Sequence, residues 1–155
     1  SKTESLSGFR LGAAFGTSKL IERMERLQAI VSLRAAGYNQ AAINTWFQEP
    51  LGWLENRIRE HEVIRDQLLK IFRDANLYTA SPQAGSYLFP QLPSLSIDLY
   101  TFIRLLRYQA NVIVSSGSEF DPACGDRIRL NFSQDHSAAV AAAKRIVKMV
   151  EIYSV

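Results

Sequence analysis

The sequence predicts an α/β protein in which helices pack on a sheet. Stretches with apolar residues three or four positions apart, the spacing of one helix face, are interspersed with short apolar segments bounded by glycine or proline, which are typical of strands. The clearest strand is residues 127–132, where apolar and polar residues alternate strictly. The longest helical pattern covers residues 53–74. Together these patterns favour a two-layer arrangement, with helices on a sheet.

The composition is that of an ordinary globular domain. Of the 155 residues, 47% are hydrophobic and 21% are charged, which suffices for a packed core. The net charge of +3 is small and both signs are interspersed, so no nucleic-acid surface is expected. No apolar run has the length of a membrane span. The single cysteine, Cys124, favours a cytoplasmic location and is interpreted as a loop thiol rather than a metal ligand, so no metal is expected.

The first fifty residues are predicted to contain one strand and two helices. Residues 11–16 are apolar and bounded by glycine, which predicts a buried strand. Ser18 is a candidate helix cap, and a shorter helical stretch at residues 43–47 follows a break near residues 36–37. The apolar stripe of the first helix consists of Leu20, Met24, Leu27 and Val31.

The rest of the chain begins with the long helix of residues 53–74, in which His61 is interpreted as structural because no ligand-type partner is near. Asp135 is expected to cap the last helix. Another helix is predicted around residues 99–108. Strands are predicted at residues 77–79, 86–89, 112–114 and 127–132.

The first twelve residues combine a small hydroxyl residue, Ser1, with Lys2 and with Arg10, which lies between Gly8 and Gly12. Such a segment suits a loop that holds an anion beside an amine, although a polar, flexible terminus would have the same composition. The run resembles the cofactor segment of fold-type I pyridoxal-phosphate aminotransferases, the aspartate-aminotransferase-like class I/II family. The resemblance implies that Lys2 forms the internal Schiff base with pyridoxal 5'-phosphate, that Arg10 holds the cofactor phosphate, and that Ser1 has a supporting polar role.

A second match lies near the other end, in residues 112–120 and 125–132. A strand, a glycine turn, a further glycine and an arginine in a strand resemble the closing pattern of the same family. The resemblance implies that Arg129 binds the substrate α-carboxylate. Without it, Arg129 would be interpreted as a surface arginine paired with a nearby acid, and Arg127 on the same strand face is interpreted as exposed or structural. Ser116 and Asp121 depart from the proline and glycine that are usual in the family.

Arg34 stands close to where some aspartate-type members carry an arginine that reaches the site of the neighbouring subunit. The resemblance implies that Arg34 binds the distal carboxylate of a dicarboxylic substrate. Its spacing from Lys2 differs from the family's by a residue or two. The alternative is a helix arginine that interacts with the helix dipole in the last turn.

The fold implied by the resemblance is the C-terminal part of a type I PLP-transferase. Residues 1–52 would be the remainder of the large PLP-binding domain, and residues 53–155 the interdomain helix and the C-terminal small domain. The aspartate that pairs with the pyridine nitrogen and the aromatic residue that stacks on the ring belong to the first half of such enzymes. We therefore expect a C-terminal portion that starts at the Schiff-base lysine and is inactive by itself.

The implied activity is a ping-pong transfer of an amino group from an L-amino acid to a 2-oxo acid. Aspartate, or another dicarboxylic or aromatic amino acid, is the expected donor, and 2-oxoglutarate or pyruvate the acceptor. A cytoplasmic homodimer is implied as well. Two alternatives stay open: a PLP-dependent lyase on the same scaffold, and an aminotransferase-like domain that senses a ligand in a transcription regulator.

Overall fold

The computed structural model describes residues 7–45 and 48–155 of the chain. These form two compact units, of which the first ends at Leu54 and the second runs from Glu55 to Val155. Helices and a sheet are both present, so the predicted α/β class is confirmed. Within the described ranges, none of the helices combines the length and the apolar character that a membrane span needs.

The first unit is built from short helical elements. A 3₁₀ turn at Ser7–Phe9 precedes helix α1, Ser18–Val31, and helix α2, Gly37–Ala41, continues into a 3₁₀ turn at Ala42–Thr45. Helix α1 confirms the predicted helix, but Thr17 rather than Ser18 occupies the cap position, and its side chain makes no capping hydrogen bond. None of the residues of α1 is buried.

The buried strand predicted at residues 11–16 is wrong. This segment has no regular secondary structure, and the Phe15 side chain is 91% exposed. A strand persists only where its backbone N–H and C=O groups pair with a neighbouring strand. Among the described residues of this unit no strand is available to pair with it, so the apolar pattern alone does not produce one.

The second unit combines three helices with a three-stranded sheet. Helix α3, Trp53–Asp74, starts just before the unit boundary, and helices α4, Leu99–Gln109, and α5, His136–Tyr153, follow later. The strands are β1, Tyr87–Leu88, β2, Ser115–Ser116, and β3, Ile128–Asn131. Strand β3 is central and antiparallel to both neighbours.

The core lies on one face of the sheet. Ile128 and Leu130 of β3 are buried, whereas Arg129 is half-buried and Asn131 is exposed, as the alternation predicts. All three helices contribute to the same cluster, which confirms the predicted packing of helices on a sheet. The helix residues buried in this cluster include Leu68 and Phe72 of α3, Phe102 and Leu106 of α4, and Ala143 and Ile146 of α5.

Two predicted strands are wrong because their residues complete the ends of helices. At the end of α3, Asn76 adopts the left-handed conformation, and the N–H of Leu77 bonds back to the carbonyl of Phe72 at 2.8 Å. At the end of α4, Asn111 is left-handed as well, and the N–H of Val112 bonds to Leu106. Residues 77–79 therefore form no strand, and the strand expected at residues 112–114 begins instead at Ser115.

Asp135 and His61 have the capping and structural roles that were predicted for them. The Asp135 carboxylate accepts hydrogen bonds from the Ser137 hydroxyl at 2.5 Å and the Ala138 N–H at 3.0 Å, which lower its pKa and cap α5. His61 of α3 lies 2.8 Å from both the Arg57 carbonyl and the Ser133 hydroxyl, so it links this helix to the segment after β3.

We predict that Gly117→Ala destabilises the protein. A Cβ atom at Gly117 would lie 2.2 Å from the carbonyl oxygen of Cys124 and 2.9 Å from the Arg127 Cβ, so the turn would have to move. Overpacking of this kind costs about 1–3 kcal/mol, which denaturant-induced unfolding measures. Gly125→Ala is the matched control, because its Cβ would meet nothing closer than 3.8 Å. Equal stabilities of the two variants would contradict the steric argument.

Candidate functional site

The face of the sheet that points away from the core carries Arg129. This residue lies opposite Ser115 of β2 in the antiparallel register. Its guanidinium carbon lies over two aromatic rings, 4.6 Å from the centroid of Tyr87 and 4.2 Å from that of Phe120. Both distances are within the range of cation–π attraction, so the two rings hold the side chain.

Arg129 has no acidic partner within salt-bridge distance in residues 7–45 and 48–155. Within these ranges, the guanidinium makes electrostatic contacts only with the rings of Tyr87 and Phe120. The alternative prediction, that Arg129 pairs with a nearby acidic residue, is therefore not supported in the described part of the chain. A planar guanidinium presents forked donors that match a carboxylate.

The neighbouring Arg127 has a different environment on the same strand face. Its guanidinium donates a hydrogen bond to Gln91 Oε1 at 3.3 Å and lies 3.7 Å from Asp126 Oδ1. The ring of Phe89 lies 5.9 Å from its guanidinium carbon. Of the two roles expected for Arg127, exposed or structural, these contacts support the structural one.

A tight turn brings Phe120 to Arg129. The turn starts with a 3₁₀ segment at Gly117–Glu119, in which the Phe120 N–H bonds to the Gly117 carbonyl at 2.9 Å. The Gly117 N–H bonds in turn to the Arg127 carbonyl at 2.7 Å, which anchors the turn beside β3. Sequence reasoning missed the role of Phe120, because no periodicity or spacing indicates which ring a turn will direct onto a strand residue.

In the first unit, Arg10 follows the 3₁₀ turn at Ser7–Phe9. It is exposed and has a φ of 52°, in the left-handed region, which costs a residue with a Cβ on the order of 1 kcal/mol. The side-chain amide of Asn39 in α2 donates a hydrogen bond to the Phe9 carbonyl at 2.9 Å and so ties the turn to a helix. This contact was also missed, because it joins residues 30 positions apart.

The loop around Arg10 fits a phosphate-bearing cofactor. A guanidinium has forked donors for phosphate oxygens, and the backbone beside it is open: nothing lies within 4 Å of a Cβ built at Gly8 or Gly12. Ser1 and Lys2, the other residues predicted to bind the cofactor, lie outside the described residues.

Arg34 lies in the first unit between α1 and α2. It is exposed and lines a groove of about 580 Å³ together with Leu11, Glu25 and Gln40. Since α1 ends at Val31, Arg34 is not in the last turn of a helix, and the helix-dipole alternative is wrong. No acidic side chain forms a salt bridge with Arg34 in the part of the chain that the structure describes.

Acidic, histidine and cysteine side chains do not cluster in a metal-binding group of three or more anywhere in the described ranges. Cys124 is partly buried at the end of a 3₁₀ turn, Pro122–Cys124.

The family model of aminotransferase class I and II matches residues 1–146. A solved aspartate aminotransferase from Rhodobacter sphaeroides is 58% identical and superposes with a TM-score of 0.93, covering 99% of this chain and 39% of that protein.

Two curated relatives are less similar. The aromatic-amino-acid aminotransferase 2 of Thermococcus litoralis is 26% identical, and the aspartate aminotransferase of Pyrococcus abyssi is 25% identical. Each comparison covers 97% of this chain and 39% of the relative. The chain therefore spans about two fifths of the length of the proteins it matches.

Members of the matched family use pyridoxal phosphate. The family match covers all but the last nine residues and includes the Arg10 loop and the strand that carries Arg129. The chain belongs to the class I and II aminotransferase family.

Proposed function

We propose that the protein transfers an amino group from an L-amino acid to a 2-oxo acid with pyridoxal 5'-phosphate as cofactor. The observation that carries the proposal is Arg129: a half-buried guanidinium held by two rings, with no acidic partner among the described residues. Amino acids and 2-oxo acids share one feature, an α-carboxylate, and a forked donor matches it.

Lys2 and Arg10 are proposed to serve the cofactor. When bound, pyridoxal phosphate supplies an electrophilic aldehyde and an electron sink. Lys2 is the residue proposed to attach covalently to it, and its released amine moves a proton at the substrate α-carbon. Both tasks need the neutral amine, which desolvation or a neighbouring positive charge favours. Arg10 holds the phosphate, and Ser1 gives polar support.

Arg129 orients the substrate through its α-carboxylate. A bidentate contact fixes the direction of the carboxylate as well as its distance, so the α-carbon is presented to the proton-transferring group in one orientation. Ile128 and Leu130 on either side of Arg129 are buried in the core, which fixes the strand from which the guanidinium projects.

We further propose that residues 1–52 complete a large cofactor-binding domain and that residues 53–155 form the interdomain helix and the small domain. The end of the first compact unit at Leu54, inside α3, supports this division. A cytoplasmic homodimer is proposed as well. The exposed apolar stripe of α1 supports the proposed homodimer, because large exposed apolar surfaces are typical of protein–protein contacts. The single cysteine supports the proposed location, because free thiols suit a reducing compartment.

The first test of the function concerns Lys2. The full-length protein should show a visible absorbance band of bound cofactor that depends on pH, together with exchange of the amino group between an amino acid and a 2-oxo acid. We expect Lys2→Ala to remove the band and to reduce the rate by about a thousandfold or more.

Lys19→Ala is the matched control, since Lys19 is an exposed lysine on α1. A band that persists in Lys2→Ala would contradict the covalent role of Lys2. Consumption of the amino acid without transfer of its nitrogen to the 2-oxo acid would indicate a lyase instead.

The second test concerns the proposed contact of Arg34 with a distal carboxylate. Arg34→Ala should lower kcat/KM for L-aspartate by about tenfold to a hundredfold, as expected for the loss of one hydrogen bond to a charged group. The value of kcat/KM for L-alanine should change by less than about twofold. Arg23→Ala on the exposed surface of α1 is the control. Equal losses with aspartate and alanine would remove this role from Arg34.

The third test concerns Asn39, which ties the Arg10 turn to α2. Asn39→Leu keeps the side-chain size but removes the donor to the Phe9 carbonyl, so affinity for pyridoxal phosphate should fall about fivefold. Gln40→Leu is the control, because it removes a comparable bond to the nearby Ala35 carbonyl. Titration of the apoprotein with cofactor measures both, and unchanged affinity in Asn39→Leu would refute the link.

A further inference from the structure

We propose that Phe120, with Tyr87, is a positioning residue for Arg129 that sets the affinity for the substrate carboxylate. The two rings hold the guanidinium in the plane and direction in which its donors meet the ligand. This inference rests on the proposed function, because it assumes that Arg129 binds the α-carboxylate.

The contacts with the rings hold Arg129 without occupying its donors. The guanidinium carbon lies 4.2 Å from the Phe120 centroid and 4.6 Å from the Tyr87 centroid. A cation over a ring is attracted by the electrons of the ring face, whereas the guanidinium N–H groups point outward in their own plane. A carboxylate partner would hold the arginine as firmly but would compete with the ligand for the same donors.

Arg127 offers an internal comparison, since it lies two residues away on the same strand. Its guanidinium donates to the amide oxygen of Gln91 and lies beside Asp126, so its donors and charge are engaged within the protein. The ring contact of Arg127, with Phe89, is longer at 5.9 Å. The structure therefore distinguishes an arginine held by hydrogen bonds from one held by rings.

Phe120 is itself held in place. Its backbone N–H is bonded within the turn that starts at Gly117, and its ring meets the Phe89 ring edge-on, with centroids 6.3 Å apart and an interplanar angle of 84°. The side chain is nevertheless 52% exposed, which is more than core packing alone would leave. A supported but accessible ring is suited to form one wall of a ligand site.

An arginine whose conformation is restricted before binding loses less entropy when the carboxylate arrives. Removal of the Phe120 ring should therefore weaken substrate binding and leave the chemical step largely intact. Because the α-carboxylate is common to all amino-acid substrates, the loss should be independent of the substrate side chain.

The test uses the full-length protein saturated with pyridoxal phosphate, with L-aspartate or L-phenylalanine as donor and 2-oxoglutarate as acceptor. Phe120→Leu should raise KM about fivefold to tenfold for both donors, as expected for the loss of one cation–π contact, and change kcat by less than about twofold. Phe120→Tyr retains a ring and should restore KM to within about twofold of the unmodified protein.

Tyr100→Leu is the matched control. Tyr100 on α4 is an exposed ring whose centroid lies 5.8 Å from the Arg104 guanidinium carbon. Helix α4 packs into the core, which lies on the sheet face opposite to the one that carries Arg129. The variant removes the same type of contact, so KM for both donors should be unchanged.

A double variant separates positioning from a merely structural effect. If Phe120 acts through Arg129, then adding Phe120→Leu to an Arg129→Leu variant should have little further effect. The second-order rate constant for reaction with the amino acid, measured under single-turnover conditions, should change by less than about twofold. Independent, multiplicative losses would overturn the inference, as would a KM increase confined to L-phenylalanine or a loss carried by kcat alone.

The failure of this inference is distinguishable from the failure of the proposed function. An unmodified protein that exchanges amino groups, with a Phe120→Leu variant of unchanged KM, refutes the role of Phe120 alone. An unmodified protein that binds cofactor but exchanges no amino group with either donor refutes the proposed function and this inference together.

Discussion

The burial of one face of β3 determines how the second unit is arranged. Ile128 and Leu130 lie in a core to which α3, α4 and α5 all contribute. Since successive side chains of a strand point to opposite faces, their burial obliges Arg129 to face away from the helices. A shift of one residue in the strand register would bury the guanidinium, at a cost that the surrounding apolar residues could not offset. The core packing and the candidate site are therefore consequences of the same alternation.

Two of the candidate arginines, Arg129 and Arg10, are held by different physical means. Arg129 projects from a paired strand and its guanidinium is held by rings, so its position depends on the sheet and on the turn that carries Phe120. Arg10 lies in a loop with left-handed backbone, and the hydrogen bond of Asn39 to the preceding carbonyl helps to offset the cost of that conformation. In both places a residue distant in sequence contacts the arginine or the backbone next to it.

The two units differ in whether the apolar stripes of their helices are buried. In the second unit the apolar stripes of the helices enter one core, as for Leu68 of α3 and Leu106 of α4. In the first unit α1 has an equally regular stripe, yet Leu20 and Leu27 are exposed. Periodicity predicts that a helix has an apolar face, but a second surface must exist before that face is buried. Among the described residues of the first unit, no such surface buries the stripe of α1.

By itself the sequence determined the elements whose signals are local: α1, α3, α4 and α5, the alternation of β3, and the cap of α5 by Asp135. Its ordered motifs also indicated the family that the comparison shows. Only the tertiary structure decided where the short strands end, that Phe120 and Tyr87 lie over Arg129, and that Asn39 fastens the Arg10 turn. Helical and strand periods arise from backbone geometry within a few residues and can be read along the chain. Contacts between separate elements depend on how helix ends and turns set the path of the backbone, and no local pattern encodes them.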